Sequence, residues 1–286
     1  MKTVNSISGG KTSAYIAVNY PADYNLFALV RTDDKNCLFP DAKIRQIVSD
    51  KIGCEFIGTL EEDSIIYTIL DLEQLIGNEI NWVSGVTFDE LIELGKYGNV
   101  LPNKLRRYCT SEMKMKPMFN WWFENIKEPI EMRIGFRANE MNRAKTMINK
   151  LNENGLLTFK KIVGQSLNGR NKWADIEWEK PSFPLINDSI FKDTIEEFWK
   201  DKKVRFAKFN NCVGCFHRNP ILLKYMSETN PNKFDWFAKA EHNRKYKYDT
   251  WKESGNLTYD KIKNHKLQFQ LFDEDFSDCD SGFCGI

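Results

Sequence analysis

The sequence predicts an α/β fold: a doubly wound, mostly parallel sheet with a small cysteine-containing C-terminal region. Three observations predict it. Short apolar runs alternate with helical periodicity through the first half of the chain, those runs end in polar loops as strands of open parallel sheets do, and a glycine pair stands where the first run hands over to the first helix. Residues 1–185 are expected to form the α/β domain. Residues 186–286 form a smaller helical region carrying a Cys-x-x-Cys pair and a cysteine-bearing tail, with Pro181 and Pro184 marking the boundary.

Val4 and Ile7 belong to the first strand, and residues 14–18 (Ala-Tyr-Ile-Ala-Val) to the helix after it. Residues 26–30 read as a second strand running into Arg31-Thr32-Asp33-Asp34. Pro40 and Asp41 then open a helix over residues 42–52. Phe56 and Ile57 suggest a third strand, followed by helical stretches over residues 64–76 and 88–95. Residues 129–134 suggest another strand. Asn and Gly punctuate residues 151–185, where alternating runs at 159–163 and 173–178 predict an antiparallel hairpin or edge addition. Beyond Pro220, residues 221–226 and the segments around Trp236 and Trp251 suggest a small helical region. No internal repeat is present in the sequence.

At 286 residues, 42% apolar, with eight Trp and twenty Phe, the chain has the material for a sizeable core and is neither disordered nor fibrous. No run approaches the ~18 apolar residues of a membrane span, and the N-terminus lacks a basic-then-apolar leader, so the cytoplasm and no membrane partner are expected. A formal charge of +1 excludes wholesale polyanion binding by net field, though not a local patch. Residues 239–252 are such a patch: Lys239, Arg244, Lys245, Lys247 and Lys252 interleave with Tyr246, Tyr248 and Trp251, the mixture found on surfaces for single-stranded nucleic acid. A solvated helix face or loop is the plainer reading of the same stretch.

Ser8-Gly9-Gly10-Lys11-Thr12-Ser13 is the first chemical centre. Two glycines let backbone amides close on an anion, the helix start adds partial positive charge, and Lys11 adds a full one. A Walker A loop would need glycine where Asn5 stands. Arg106, Arg107 and Lys114 bring three cations to one loop and helix start, suited to phosphate or sulfate. Gly135-Phe136-Arg137-Ala138-Asn139-Glu140, with Arg143 beyond, offers a further flexible turn with two guanidinium groups. Thr32 and Asp33 lie at the expected carboxyl end of the second strand.

Seven cysteines without a leader argue for metal, cluster or redox use of a subset rather than disulfides. Cys37 and Cys54 read as ordinary buried small residues. Cys212-Val213-Gly214-Cys215 aims two thiolates at one site, and Cys279 and Cys284 in the tail would complete four ligands for an iron–sulfur cluster or zinc. Cys109 is an alternative third ligand or a reactive thiolate, and an inert set of thiols is the remaining reading. His217, two residues past Cys215, is too close for common zinc spacings.

These elements resemble, in order, those of the adenine-nucleotide α-hydrolase (PP-loop) superfamily, specifically its 3′-phosphoadenylyl sulfate (PAPS) reductase branch. Residues 8–13 resemble the loop Ser-Gly-Gly-x-Asp-Ser, with Thr12 in place of Asp. Phe39-Pro40-Asp41-Ala42 is similar to Phe-Pro-Glu-Thr. Residues 107–117 resemble Arg-x-Cys-Thr-x-x-x-Lys-x-x-Pro, and residues 135–143 resemble Gly-x-Arg-x-x-Glu-x-x-Arg. The resemblance implies a Rossmann-like, PP-loop-type sheet and an adenine nucleotide, ATP or PAPS, with Mg²⁺. It implies Ser8, Gly9, Gly10, Lys11, Thr12, Ser13, Thr32, Asp33, Arg106, Arg107, Lys114, Gly135, Arg137 and Arg143 as nucleotide-binding residues. Lys11, Cys109 and Cys284 are the catalytic candidates, and Cys212, Cys215, Cys279 and Cys284 the metal ligands.

Two activities fit that resemblance. One is cleavage of ATP between the α- and β-phosphates to activate an acceptor for sulfur transfer, similar to the relatives that phosphorothioate DNA or thiolate tRNA, with a sulfur-donor protein or homo-oligomer as further partner. The other is sulfonucleotide reduction with sulfite release, in which Cys284-Gly285-Ile286 resembles a shortened reductase tail. Phe283 stands where those reductases have Glu, the final His is missing, and acidic neighbours such as Asp278 and Asp280 would raise a thiol's pKa. A nucleotide-binding protein without turnover, holding a structural metal, is the third reading.

Overall fold

A computed structural model describes residues 1–93, 100–103, 106–166, 168–242 and 257–266. It is α/β: a six-stranded, mostly parallel sheet covered by helices on both faces. The strands are β1 Thr3–Ile7, β2 Tyr24–Leu29, β3 Ile80–Ser84, β4 Ile130–Arg133, β5 Leu157–Gln165 and β6 Asn171–Ser182, in the spatial order β3-β2-β1-β4-β6-β5. All neighbours pair in parallel except β5 and β6, which form an antiparallel hairpin. The predicted hairpin is therefore present, and its second strand also joins the main sheet, with Ile130 of β4 opposite Glu179 of β6.

Alternate residues of each parallel strand feed two cores, the reason these strands read as nearly continuous apolar runs. On one face Ile7, Phe27, Leu29, Ile80 and Trp82 pack with α1 (Lys11–Asn19), α2 (Ala42–Ile52) and α3 (Ser64–Ile76). Leu185, Ile195 and Trp199 complete this core, the last two from α4 (Lys192–Trp199). On the other face Val4, Leu26, Ala28, Val83 and Met132 pack with α5 (Lys116–Asn125) and α6 (Met141–Ile148). A third core lies at the carboxyl end of β2 and β3, where Val30, Leu60, Phe88 and Tyr108 meet α7 (Pro220–Thr229), α8 (Pro231–His242) and α9 (Tyr259–Asn264). Residues from both sides of position 186 thus share two of the three cores. Among the described residues no helix is long and apolar enough to cross a membrane.

Local chemistry sets the helix ends. The Asp41 carboxylate accepts from the amides of Lys43 and Ile44 at the start of α2, and Gly53, at φ +69°, ends it in the left-handed region. Gly77 ends α3 in the same way. Two expectations are corrected. Residues 56–57 are not a strand: Phe56 fills the first core from a loop, and the loop's only ladder contacts are bridges from Gly58 to Thr32 and Leu38. The third parallel strand is β3, hidden in the sequence because Asn81 and Ser84 interrupt its apolar residues. Cys54, expected inside, is exposed, whereas Cys37 is buried and its thiol pushed up to about 12, chiefly by burial. The stretch from Phe88 is helical to Glu93, and residues 94–99 lie outside the described residues.

Glu179 is buried on β6 with its Oε1 unpartnered, and burial raises its pKa to about 8. Between the ordinary carboxyl value and about 8, the folded chain holds a proton that the unfolded chain releases. Stability therefore falls as pH rises through that window, by up to about 1.4 kcal/mol per pH unit. Glu179→Gln removes this dependence. Urea midpoints measured at pH 5 and pH 8 are expected to converge in the variant, which gains over the parent chiefly at pH 8.

Candidate functional site

The strand order reverses direction at β1, which leads to β2 on one side and lies beside β4 on the other. A crevice opens there at the carboxyl ends of the strands, the usual ligand position in open α/β sheets. The turn after β1 fills one wall. Gly9 adopts φ +79°, and a Cβ there would lie 2.6 Å from Ile65 Cγ2. Ser13 Oγ ties the turn together by accepting from the Ser8 amide at 3.1 Å and donating to the Gly10 carbonyl at 3.1 Å. The helix begins at Lys11, with the Ala14 amide donating to the Gly10 carbonyl, so the amides before it face the crevice end. Gly135 brings the turn after β4 against the same helix start, where a Cβ would sit 3.4 Å from the Ser13 amide nitrogen and from Thr12 Cγ2.

Lys11, Thr12 and Arg137, predicted from separate motifs, line one cavity of about 430 Å³. The same cavity receives Lys192, Glu196, Lys208 and Asn210 from beyond residue 186. Three of the cavity's charges are already engaged. Lys11 is paired with Glu196, and the Arg137 Nε donates at 3.1 Å to Glu140, which also pairs with Arg143. Arg143 in addition lies over the Phe136 ring, 4.5 Å from its centroid. An anion entering this cavity therefore meets cations held in place by carboxylates rather than free side chains.

The other predicted cations stand elsewhere. Arg106 and Arg107 are exposed, outside this cavity's lining. Lys114 lies on a π-helical turn, Ser111–Met115, and pairs at 3.1 Å with the buried Glu61. Thr32 is fully buried and donates to Asp89 at 2.6 Å, while the Asp33 carboxylate accepts from Thr87 at 2.8 Å. Both brace the loop after β2 instead of lining the Lys11 cavity.

Lys114 faces a second, small apolar cavity of about 40 Å³, room for only a few waters. Cys109, Cys212 and Cys215 line it together with Asn211, Phe216, Phe237 and Tyr259. Tyr259 donates to the Gly214 carbonyl at 2.6 Å. Its hydroxyl is held protonated far above the usual range by burial, then by Glu241 and by the Cys215, Cys212 and Cys109 thiols. Gly214 is required by space: a Cβ would lie 2.3 Å from the Phe237 ring. The three sulfurs are the donor type for an iron–sulfur cluster or zinc, yet among the described residues no three metal-ligating side chains close into a group that would hold an ion. Cys279 and Cys284 lie outside the described residues.

One turn joins the two cavities. Asn210 lines the first and Asn211 the second, and Asn210 packs so closely on the glycine loop that a Cβ at Gly10 would lie 2.4 Å from its Nδ2. Asn211 holds φ +76°, a left-handed backbone that Asn tolerates better than most residues. The buried Arg218 guanidinium fixes the turn, donating to the carbonyls of Asn210 at 2.5 Å, Asn211 at 3.1 Å and Cys212 at 3.1 Å. The Phe209 amide donates at 2.8 Å to Glu62, whose pKa burial raises. Sequence reasoning assigned no role to Lys192, Glu196, Lys208, Asn210 or Arg218. The one available signal was Arg218, a lone cation three residues past the Cys-x-x-Cys pair.

Gly214→Ala is expected to destabilise the chain by about 2 kcal/mol, because the rigid Phe237 ring must move. Adding Phe237→Leu is expected to recover about half of that loss, a coupling that a double-mutant cycle of chemical denaturation measures. Set beside known proteins, the chain matches no family model, no curated protein and no solved structure.

Proposed function

We propose that the protein is a PP-loop-type enzyme that cleaves ATP between its α- and β-phosphates to activate an acceptor, most readily a nucleic acid such as tRNA or DNA, for sulfur transfer. The single observation that supports this reading is the convergence of Lys11, Thr12 and Arg137 on one crevice at the point where the strand order reverses. In this reading the amides at the start of α1 and Lys11 hold the polyphosphate, and Arg137 stabilises charge that grows on the bridging oxygen as pyrophosphate leaves. Lys192 and Lys208 add charge from the opposite wall. In this reading the anion displaces Glu196 from Lys11.

The thiols fit the second half of the same reading. Cys109, Cys212 and Cys215 share an apolar cavity one residue along the chain from the nucleotide crevice, where a sulfur nucleophile would be shielded from water and close to an activated acceptor.

The test is release of AMP and pyrophosphate from ATP, with and without bulk tRNA or DNA. Lys11→Ala and Arg137→Ala are each expected to lower the rate about 100-fold, with the Lys11 variant keeping its melting temperature because that side chain is half-exposed. Sulfite release from PAPS without any ATP cleavage would instead identify a sulfonucleotide reductase.

A further inference from the structure

The β5–β6 hairpin does more than close the sheet. Only residues 179–182 of β6 pair with β4, so the eight residues from Asn171 onward and their β5 partners run past the amino end of the parallel strands; the part nearest the sheet packs on α5 through Trp178 and Phe159, and the part toward the turn is exposed. At about 3.3 Å per residue that overhang is roughly 26 Å long. It carries Lys160, Lys161, Arg170 and Lys172 against the carboxylates of Asp175 and Glu177, and the four cations all lie on the side of Asp175 nearer the turn or directly opposite it. This concentration of positive charge is hidden in a whole-chain formal charge of +1.

The arm is also apolar where a water-exposed ribbon ordinarily is not. Ile162 and Trp173 stand directly opposite each other in the register, and they are 43% and 61% exposed, with Val163 at 57%. Among the described residues Arg170 and Lys172 form no ion pair, whereas Lys161 lies over the Phe123 ring, 4.3 Å from the centroid. Cations alone would suit any polyanion. An accessible indole plane flanked by unpaired cations is the combination that binds unpaired bases, by stacking on one side and phosphate contact on the other.

We propose that this hairpin is a nucleic-acid-binding arm that grips a strand with unpaired bases, through stacking on Trp173 and phosphate contacts from Arg170 and Lys172. The inference rests on the reading of the acceptor as a nucleic acid. It adds a geometric condition. The arm lies at the end of the strands opposite the nucleotide crevice, so the bound molecule must be long enough to reach from one end of the sheet to the other.

The experiment is fluorescence anisotropy of the full chain with three labelled probes: bulk tRNA, a 40-nucleotide single-stranded DNA and a 40-base-pair duplex. Trp173→Ala is expected to weaken tRNA and single-strand binding about tenfold and to leave the duplex nearly unaffected. Arg170→Ala with Lys172→Ala is expected to reduce the slope of log affinity against log salt by about 1.4 for single strands. Unchanged affinity and slope in both variants overturn the proposal. So does a loss confined to self-association, seen by sedimentation as a dimer becoming a monomer with nucleic-acid binding intact. Pyrophosphate release measured without acceptor on the same preparations separates the two readings: hairpin variants that keep ATP cleavage and bind like the parent refute the arm alone, and absence of ATP cleavage in the parent refutes the enzyme reading alone.

Discussion

The candidate site depends on one buried guanidinium. Arg218 spends its donors on backbone carbonyls of Asn210, Asn211 and Cys212, holding the turn that separates the two cavities. A backbone in this position, with Asn211 in the left-handed region, has no ladder to satisfy its carbonyls, and leaving them unpaired in a buried place is costly. Because the turn is fixed, Asn210 meets the glycine loop and Cys212 meets Cys109 and Cys215 without either group depending on a flexible segment. The crevice and the thiol cavity therefore share one turn.

A second constraint is steric. Gly9, Gly10, Gly135 and Gly214 each stand where a β-carbon would press on a neighbour, at distances from 2.3 to 3.4 Å. Three of them surround the start of α1 and the fourth supports the thiol cavity. Without side chains at these positions the start of α1 packs directly against Ile65, Asn210 and the turn after β4.

Much of the architecture was legible in the sequence. The limits of α2 and α3 follow from Asp41, Gly53 and Gly77, whose capping roles depend only on local chemistry. Strand β3 escaped because an edge strand tolerates polar residues such as Asn81 and Ser84, while Phe56, apolar and buried, fills a core from a loop. In the site, Lys11 and Arg137 sit in local glycine turns that advertise themselves. Lys192, Lys208 and Asn210 reach the crevice from positions far along the chain, and nothing in their neighbours' identities encodes that. The same limit explains Lys114. Its charge was readable, but which of two adjacent cavities it faces depends on a π turn that no residue pattern announces. Residues 243–252 of the basic stretch lie outside the described residues, and an exposed indole beside exposed cations is found on the hairpin.

The order in which the strands pair also bears on how the molecule is made. β1 is joined to β2 by the single helix α1, but its other neighbour, β4, is translated more than a hundred residues later, and the crevice lacks a wall until Lys208 and Asn210 have emerged. Completion of both cavities therefore waits on residues far along the chain, the second one on Tyr259, whose hydroxyl donates to the Gly214 carbonyl.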